Sequence, residues 1–161
     1  MIEVTPTREQ VLEARREAGN LGPIAGSILG GQGNTIGFLG EIIVRDLTGY
    51  KQVNTSDYDL LVEQSGRRVD VKSKRCKSTP QPSYDCSVAA HGTQQDCDDY
   101  VFVRIHNNLS RAWILGTIPK VEYFNKATRY QKGDLDESNG YVVKADCYNL
   151  KISELWTLPT S

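Results

Sequence analysis

Between residues 57 and 74 the chain alternates in a way that leaves few folds open. Asp57-Tyr58-Asp59-Leu60-Leu61-Val62-Glu63 and Arg68-Val69-Asp70-Val71-Lys72-Ser73-Lys74 each place apolar residues at every second position, with Gln64-Ser65-Gly66-Arg67 between them. Period-two segments flanking a Ser-Gly turn predict a β-hairpin. A two-residue loop at Ser65-Gly66 would pair Glu63 with Arg68, Leu61 with Asp70, and Asp59 with Lys72. Residues opposite one another in a ladder share a face. The expectation is therefore one face with Asp57, Asp59, Leu61, Asp70, Lys72 and Lys74, and a core face with Tyr58, Leu60, Val62, Val69 and Val71.

The 161 residues suit one domain with its own core, and 39% hydrophobic with 24% charged residues is ordinary composition for such a domain. The expected organisation is an N-terminal helix and Gly-rich loop over 1–33, a core over 34–118, and a helix with edge elements over 119–161. No apolar run reaches the length of a membrane span. Met1-Ile2-Glu3-Val4-Thr5 lacks the basic-then-apolar start of a signal peptide, so a cytoplasmic protein with no membrane partner is expected. Cys76, Cys86, Cys97 and Cys147 contain no C-x-x-C pair, and free thiols are expected. Cys76, Cys86 and Cys97 with His91 form the one set that a structural zinc could use.

Along the chain, Thr5 or Thr7 can cap a helix from Arg8 to Ala18, stopped by Gly19-Asn20. Its apolar face is thin. Residues Gly19 to Gly40 are glycine-rich, but Gly30-Gly31-Gln32-Gly33 meets neither the P-loop nor the dinucleotide pattern and reads as a connector. Ile36, Leu39, Ile43 and Leu47 recur at helical spacing in a second helix, which places Glu41 among apolar neighbours. Strands are expected at 84–90, 100–106 and 111–118, with a helix after Pro119, a loop over 128–139, edge strands over 141–150 and a closing helical turn at 152–156. This order predicts an α/β or α+β sheet flanked by helices.

Net charge is −1, which argues against a protein that coats nucleic acid. Locally, however, Arg67, Arg68, Lys72, Lys74, Arg75 and Lys77 crowd together with one acid, Asp70. Acids gather at Asp96-Cys97-Asp98-Asp99 and Asp134-Leu135-Asp136-Glu137. A basic stripe of this kind suits one polyanion, or a solvated sheet edge.

Two carboxylates on one sheet face can hold Mg²⁺, which takes one or two carboxylates and keeps water for its remaining positions. Asp59 and Asp70 are those residues, with Asp57 an alternative to Asp59 and the Val71 carbonyl a further oxygen donor. Lys72, two residues past Asp70, can offset charge on a phosphate, and Glu41 can complete the carboxylates from the helix. Gln94 and Gln95 are weaker candidates for contact with this site.

Glu41, Asp59 and Asp70-Val71-Lys72, on helix, strand and strand, resemble the PD-(D/E)XK nuclease superfamily over about residues 35–118. Tyr58 stands where the named motif has proline. The resemblance implies a restriction-endonuclease-like central mixed β-sheet flanked by helices, dependence on Mg²⁺ or Mn²⁺, and hydrolysis of DNA. It also implies Asp59 and Asp70 as metal ligands, Lys72 as catalytic lysine and Glu41 as accessory acid. Arg67, Arg68, Lys74, Arg75 and Lys77 are then the expected DNA-backbone contacts, and a homodimer the expected assembly for cutting both strands. The alternatives are a non-catalytic nucleic-acid-binding module and a zinc-stabilised structural protein.

Overall fold

A computed structural model describes residues 1–21 and 32–160. Most of the glycine-rich connector, including Gly30-Gly31, lies outside the described residues. Strand β1 (Ile2–Val4) leads into helix α1 (Arg8–Leu21), followed by α2 (Gln32–Thr48). Strands β2 (Lys51–Gln52), β3 (Leu60–Val62), β4 (Arg67–Cys76), β5 (Asp85–Ala89), β6 (Asp99–His106) and β7 (Ala112–Pro119) precede helix α3 (Lys120–Lys126). The chain closes with β8 (Thr128–Tyr130), β9 (Leu135–Asp136), β10 (Tyr141–Val142) and β11 (Cys147–Lys151), then a 3-10 turn at Ile152–Glu154.

The main sheet is mixed, in the order β1-β7-β6-β4-β3-β2. Its β4–β6 pair is parallel and every other pair antiparallel. In β4 the two side-chain sets go to two cores. Val69 and Val71 pack with Val101, Val103 and Ile105 of β6 and with Leu39, Ile42 and Ile43 of α2. The opposite side of β6, with Tyr100 and Phe102, packs against Tyr123 of α3, Val88 of β5 and Leu150 of β11. Three layers result: α1 and α2, the main sheet, and α3 with the β5-β11-β8 sheet. This is a mixed α+β architecture.

Several expectations are corrected by tertiary contacts. Helix α1 starts with a capping box, in which the Thr7 Oγ1 accepts from the Gln10 N–H (3.1 Å) and the Gln10 Oε1 accepts from the Thr7 N–H (2.9 Å). The helix continues through Gly19-Asn20, because it lies on α2 and is tied there by Glu13 to Arg45 (2.8 Å) and Gln10 to Asp46 (2.9 Å). The hairpin turn is longer than expected. Gly66, at φ 74°, donates to the Val62 carbonyl, so the ladder closes at Val62↔Arg67 and Leu61 faces Arg68. Each partner moves by two residues, which preserves the faces but places Asp59 level with Asp70 instead of Lys72. Tyr58 leaves the expected core face: it packs on the Tyr100 side, with the Arg68 guanidinium over its ring at 5.9 Å. The segments β1, β2, β8 and β9 were not legible as strands; β2, at two residues, and β1 and β8, at three, exist only because a partner strand supplies their hydrogen bonds.

Helix α2 approaches β4 closely at one point. A Cβ on Gly40 would lie 1.8 Å from Ser73 Oγ and 3.0 Å from Ser73 Cβ, whereas one on Gly37 meets nothing within 4 Å. The same helix thus offers a tight and an open glycine. Gly37→Ala is expected to raise the melting temperature by about 2–4 °C, the worth of roughly 1 kcal/mol of helix propensity in a chain of this size. Gly40→Val is expected to lower it, because overpacking costs about 1–3 kcal/mol. Thermal circular dichroism on both variants checks this; a stabilised Gly40→Val would show that the two elements are not in contact.

Candidate active site

The register of the hairpin and the end of β3 together create the site. Backbone groups of alternate β4 residues point to alternate sides. The Val69 carbonyl accepts from the Asp59 N–H at 2.9 Å, so Val69 and Val71 both present their backbone toward β3. Strand β3 begins only at Leu60, because a turn at Thr55–Tyr58 (Thr55 N–H to the Tyr58 carbonyl, 2.9 Å) bends the preceding chain away. The Val71 N–H would be left open at that edge. The Asp59 carboxylate replaces the missing strand and accepts from it at 2.8 Å. The Val71 carbonyl faces the same edge. Asp57 belongs to the turn, its N–H donating to Thr55 Oγ1 at 3.2 Å, so it is Asp59 that reaches β4.

Asp70 is 4% exposed. The Lys72 ammonium is 2.8 Å from Asp70 Oδ2 and donates to Gln95 Oε1 at 2.7 Å. It also lies 5.7 Å from the Tyr100 ring centroid. Gln95 Nε2 is 3.5 Å from Asp70 Oδ1, so one amide side chain spans both residues. The segment bearing Gln95 is itself anchored: Lys120 Nζ donates to the Gln95 carbonyl, and the Asp98 N–H to the Arg68 carbonyl at 2.8 Å. Nothing in the spacing of Gln95 identifies it more strongly than Gln94. Only the return of the chain from β5 to β6 brings it to Lys72.

Glu41 completes the cluster from α2, next to the glycine that sets the close approach. Burial, then Asp59 and Asp70, push its carboxyl up to about 9. Burial and Asp70 push Asp59 up to about 6, although the Val71 N–H and Glu41 pull the other way. Glu41 Oε2 is sealed from solvent with no hydrogen-bond partner. Asp70 Oδ2 is likewise sealed and lacks a well-oriented hydrogen bond, with Lys72 at ion-pair distance only. Glu41, Asp59 and Asp70 thus act on one another, while the Lys72 ammonium pairs with Asp70. Glu41 and Asp59 also line a cavity of about 460 Å³ that reaches Glu17, Asn54 and Thr55.

The basic stripe is distributed differently from the expectation. Arg67 forms a two-pronged ion pair with Asp99 (2.7 and 2.8 Å), and Arg68 pairs with Asp98 (3.1 Å) and Asp96 (2.8 Å). The acids that looked remote in sequence neutralise these two arginines, because β6 runs parallel beside β4 and starts level with them. Lys74 and Lys77 are exposed, and Arg75 occupies a β4 position of the opposite parity. His91 sits in a 3-10 turn, and His106 ends β6 with its ring against Asn108 (2.7 Å). All four cysteines are free. Among the described residues no three His, Cys, Asp or Glu side chains form a group able to hold a metal, so Cys76, Cys86, His91 and Cys97 do not make a zinc set.

Comparison with known protein families finds no family model that matches this chain, and comparison with curated proteins finds no match in sequence.

Crowded carboxylates leave a signature in stability. A carboxyl whose pKa is raised in the folded state stabilises the fold while protonated, and that contribution is lost as pH rises above its unfolded value. For Glu41 the window runs from about 4.5 to about 9. In chelator, Glu41→Gln should match the parent near pH 5 and melt progressively higher than it toward pH 9. Differential scanning calorimetry across that range tests this; parallel melting curves for the two proteins would show that Glu41 bears no such strain.

Proposed function

We propose that this protein is a DNA endonuclease dependent on Mg²⁺ or Mn²⁺. The observation that carries the reading is the closeness of Glu41, Asp59 and Asp70 at the open edge of β4, with Lys72 ion-paired to Asp70 and one Glu41 oxygen sealed without a hydrogen-bond partner. Such a cluster holds more negative charge than its one lysine offsets, and buried unpaired charge is costly. A small divalent cation fits this donor set. It needs only one or two carboxylates and keeps water for its remaining positions.

Asp59 and Asp70 would hold the ion, with the Val71 carbonyl as the neighbouring oxygen. When bound, it would supply an activated water and offset charge on the scissile phosphate. Lys72 lies on the same face as Asp70 and is oriented by Gln95, and its ammonium would meet negative charge building on the phosphate oxygens. Burial, with Asp59 and Asp70 beside it, pushes the Glu41 carboxyl up to about 9, and a proton kept there at neutral pH would limit the repulsion on Asp59. The resemblance in Glu41, Asp59 and Asp70-Val71-Lys72 supports the same assignment. One chain supplies one such cluster, so cutting both strands of a duplex would take two copies related by a two-fold axis.

Incubation of supercoiled plasmid with the protein in Mg²⁺ tests the reading. Nicking is expected, and chelator should abolish it. Asp70→Asn and Lys72→Ala should each lower the rate by about 10²–10³, the usual loss for a group that stabilises transition-state charge. Cleavage undiminished in both variants would falsify the assignment; DNA binding with no cleavage under any divalent ion would favour the binding-module alternative.

A further inference from the structure

The basic residues expected to grip DNA divide into two groups once their partners are known. Arg67 and Arg68 are committed to Asp99, Asp98 and Asp96. Lys74 and Arg104 are not: among the described residues neither has a carboxylate at ion-pair distance, although they sit side by side in the β4–β6 register. The same register places Asp70, Lys72 and Lys74 on one face of β4, with Tyr100, Phe102 and Arg104 beside them on β6. A cavity of about 350 Å³ is lined by Lys72, Lys74, Ser87 and Arg104. It therefore runs from the catalytic lysine to the unpaired basic pair.

The pair is held together against its own repulsion. Arg104 Nη2 donates to the Asp85 carbonyl at 2.5 Å, which fixes the guanidinium beside the cleft and leaves its remaining N–H groups available. Desolvation and the Arg104 charge push the Lys74 ammonium down, with the Asp85 charge pulling the other way. The acid nearest in chain to this contact, Asp85, is engaged by Asn139 (2.8 Å), and burial with Asp136 pushes it up to about 6. Two like charges side by side, with no carboxylate at ion-pair distance of either among the described residues, can take an anion. Lys72 and Lys74 are about 6.6 Å apart along the strand, two steps of β rise, comparable with the separation of successive phosphates on a nucleic-acid strand.

We infer that Lys74 and Arg104 form a binding subsite for the DNA phosphate adjacent to the scissile one, at the cavity they line together. This deepens the endonuclease reading and rests on it for the identity of the polyanion. It also sets a direction. The strand leaves the site along β4 toward Cys76, not toward the β3–β4 turn where Arg67 and Arg68 are already neutralised. The enzyme would then need a nucleotide on that side of the cut, which favours internal bonds over terminal ones.

The test is the salt dependence of binding to a fluorescein-labelled DNA duplex, read by anisotropy in chelator. Each lost phosphate contact lowers the log–log salt slope by about 1. The double variant Lys74→Gln/Arg104→Gln should lower it by about 2 and weaken binding at least tenfold near 0.1 M salt. Arg67→Gln should leave the slope unchanged. Arg104→Lys, which keeps the charge, should restore most of the slope lost in Arg104→Gln, a rescue that a merely structural role would not give; melting curves confirm that each variant is folded. If the double variant binds as the parent does while nicking still depends on Asp70 and Lys72, the subsite is wrong and the nuclease reading stands. If the slope falls but no nicking occurs, the subsite stands without catalysis. A parent protein that binds no DNA overturns both.

Discussion

One edge of one strand organises this molecule. Strand β4 is paired along its length with β6 but loses β3 beyond Val69, where the chain turns away at Thr55–Tyr58. A strand edge inside a protein leaves N–H and C=O groups that must find partners. Here the partner is a carboxylate, Asp59, bonded to the Val71 N–H. That bond fixes Asp59 beside Asp70, and α2 brings Glu41 to the same place because Gly40 lets it approach Ser73. The crowding of acids follows from closing a backbone edge with a charged side chain.

Around that edge, charge is arranged in two tiers. Arg67 and Arg68 are spent within the fold, joining the start of β4 to the run Asp96–Asp99. Their pairing holds the chain that carries Gln95, and Gln95 in turn orients Lys72. Surface ion pairs of this kind contribute little to stability singly. Their importance here is positional: they set where one amide stands relative to one ammonium. Lys72, Lys74 and Arg104 form the second tier, lining one continuous cavity on the β4–β6 face. The net charge of −1 hides both tiers, because it counts paired and unpaired residues alike.

Much of the candidate site was legible as pattern. The alternation through Asp59, Leu61, Asp70 and Lys72 held its faces, although Gly66 lengthened the turn and moved every partner by two residues. Parity survives a shift of two, since side chains repeat every second residue. Glu41 was conspicuous as an acid among apolar helical positions. Tyr58 was misplaced because strand periodicity was carried into a turn. Gln95 stood out no more than Gln94, and Arg104 carried no local signal: an amide in a loop and an arginine in an apolar strand acquire meaning only from what packs beside them. The two- and three-residue strands β1, β2 and β8 were invisible for the same reason, having too few residues to show a period.

The order of residues by itself settled the alternation of β4, the helical stripe of α2, a threonine cap at Thr5 or Thr7 and the acids and lysine that share a face, because these depend on contacts within a few positions along the chain. Tertiary structure alone decided that β6 lies parallel beside β4, and with it which arginines are neutralised, which basic pair has no carboxylate at ion-pair distance among the described residues and which glutamine meets Lys72. Those outcomes depend on residues 20 to 40 positions apart along the chain being brought level with one another, and a local pattern holds no information on which distant strand will be its neighbour.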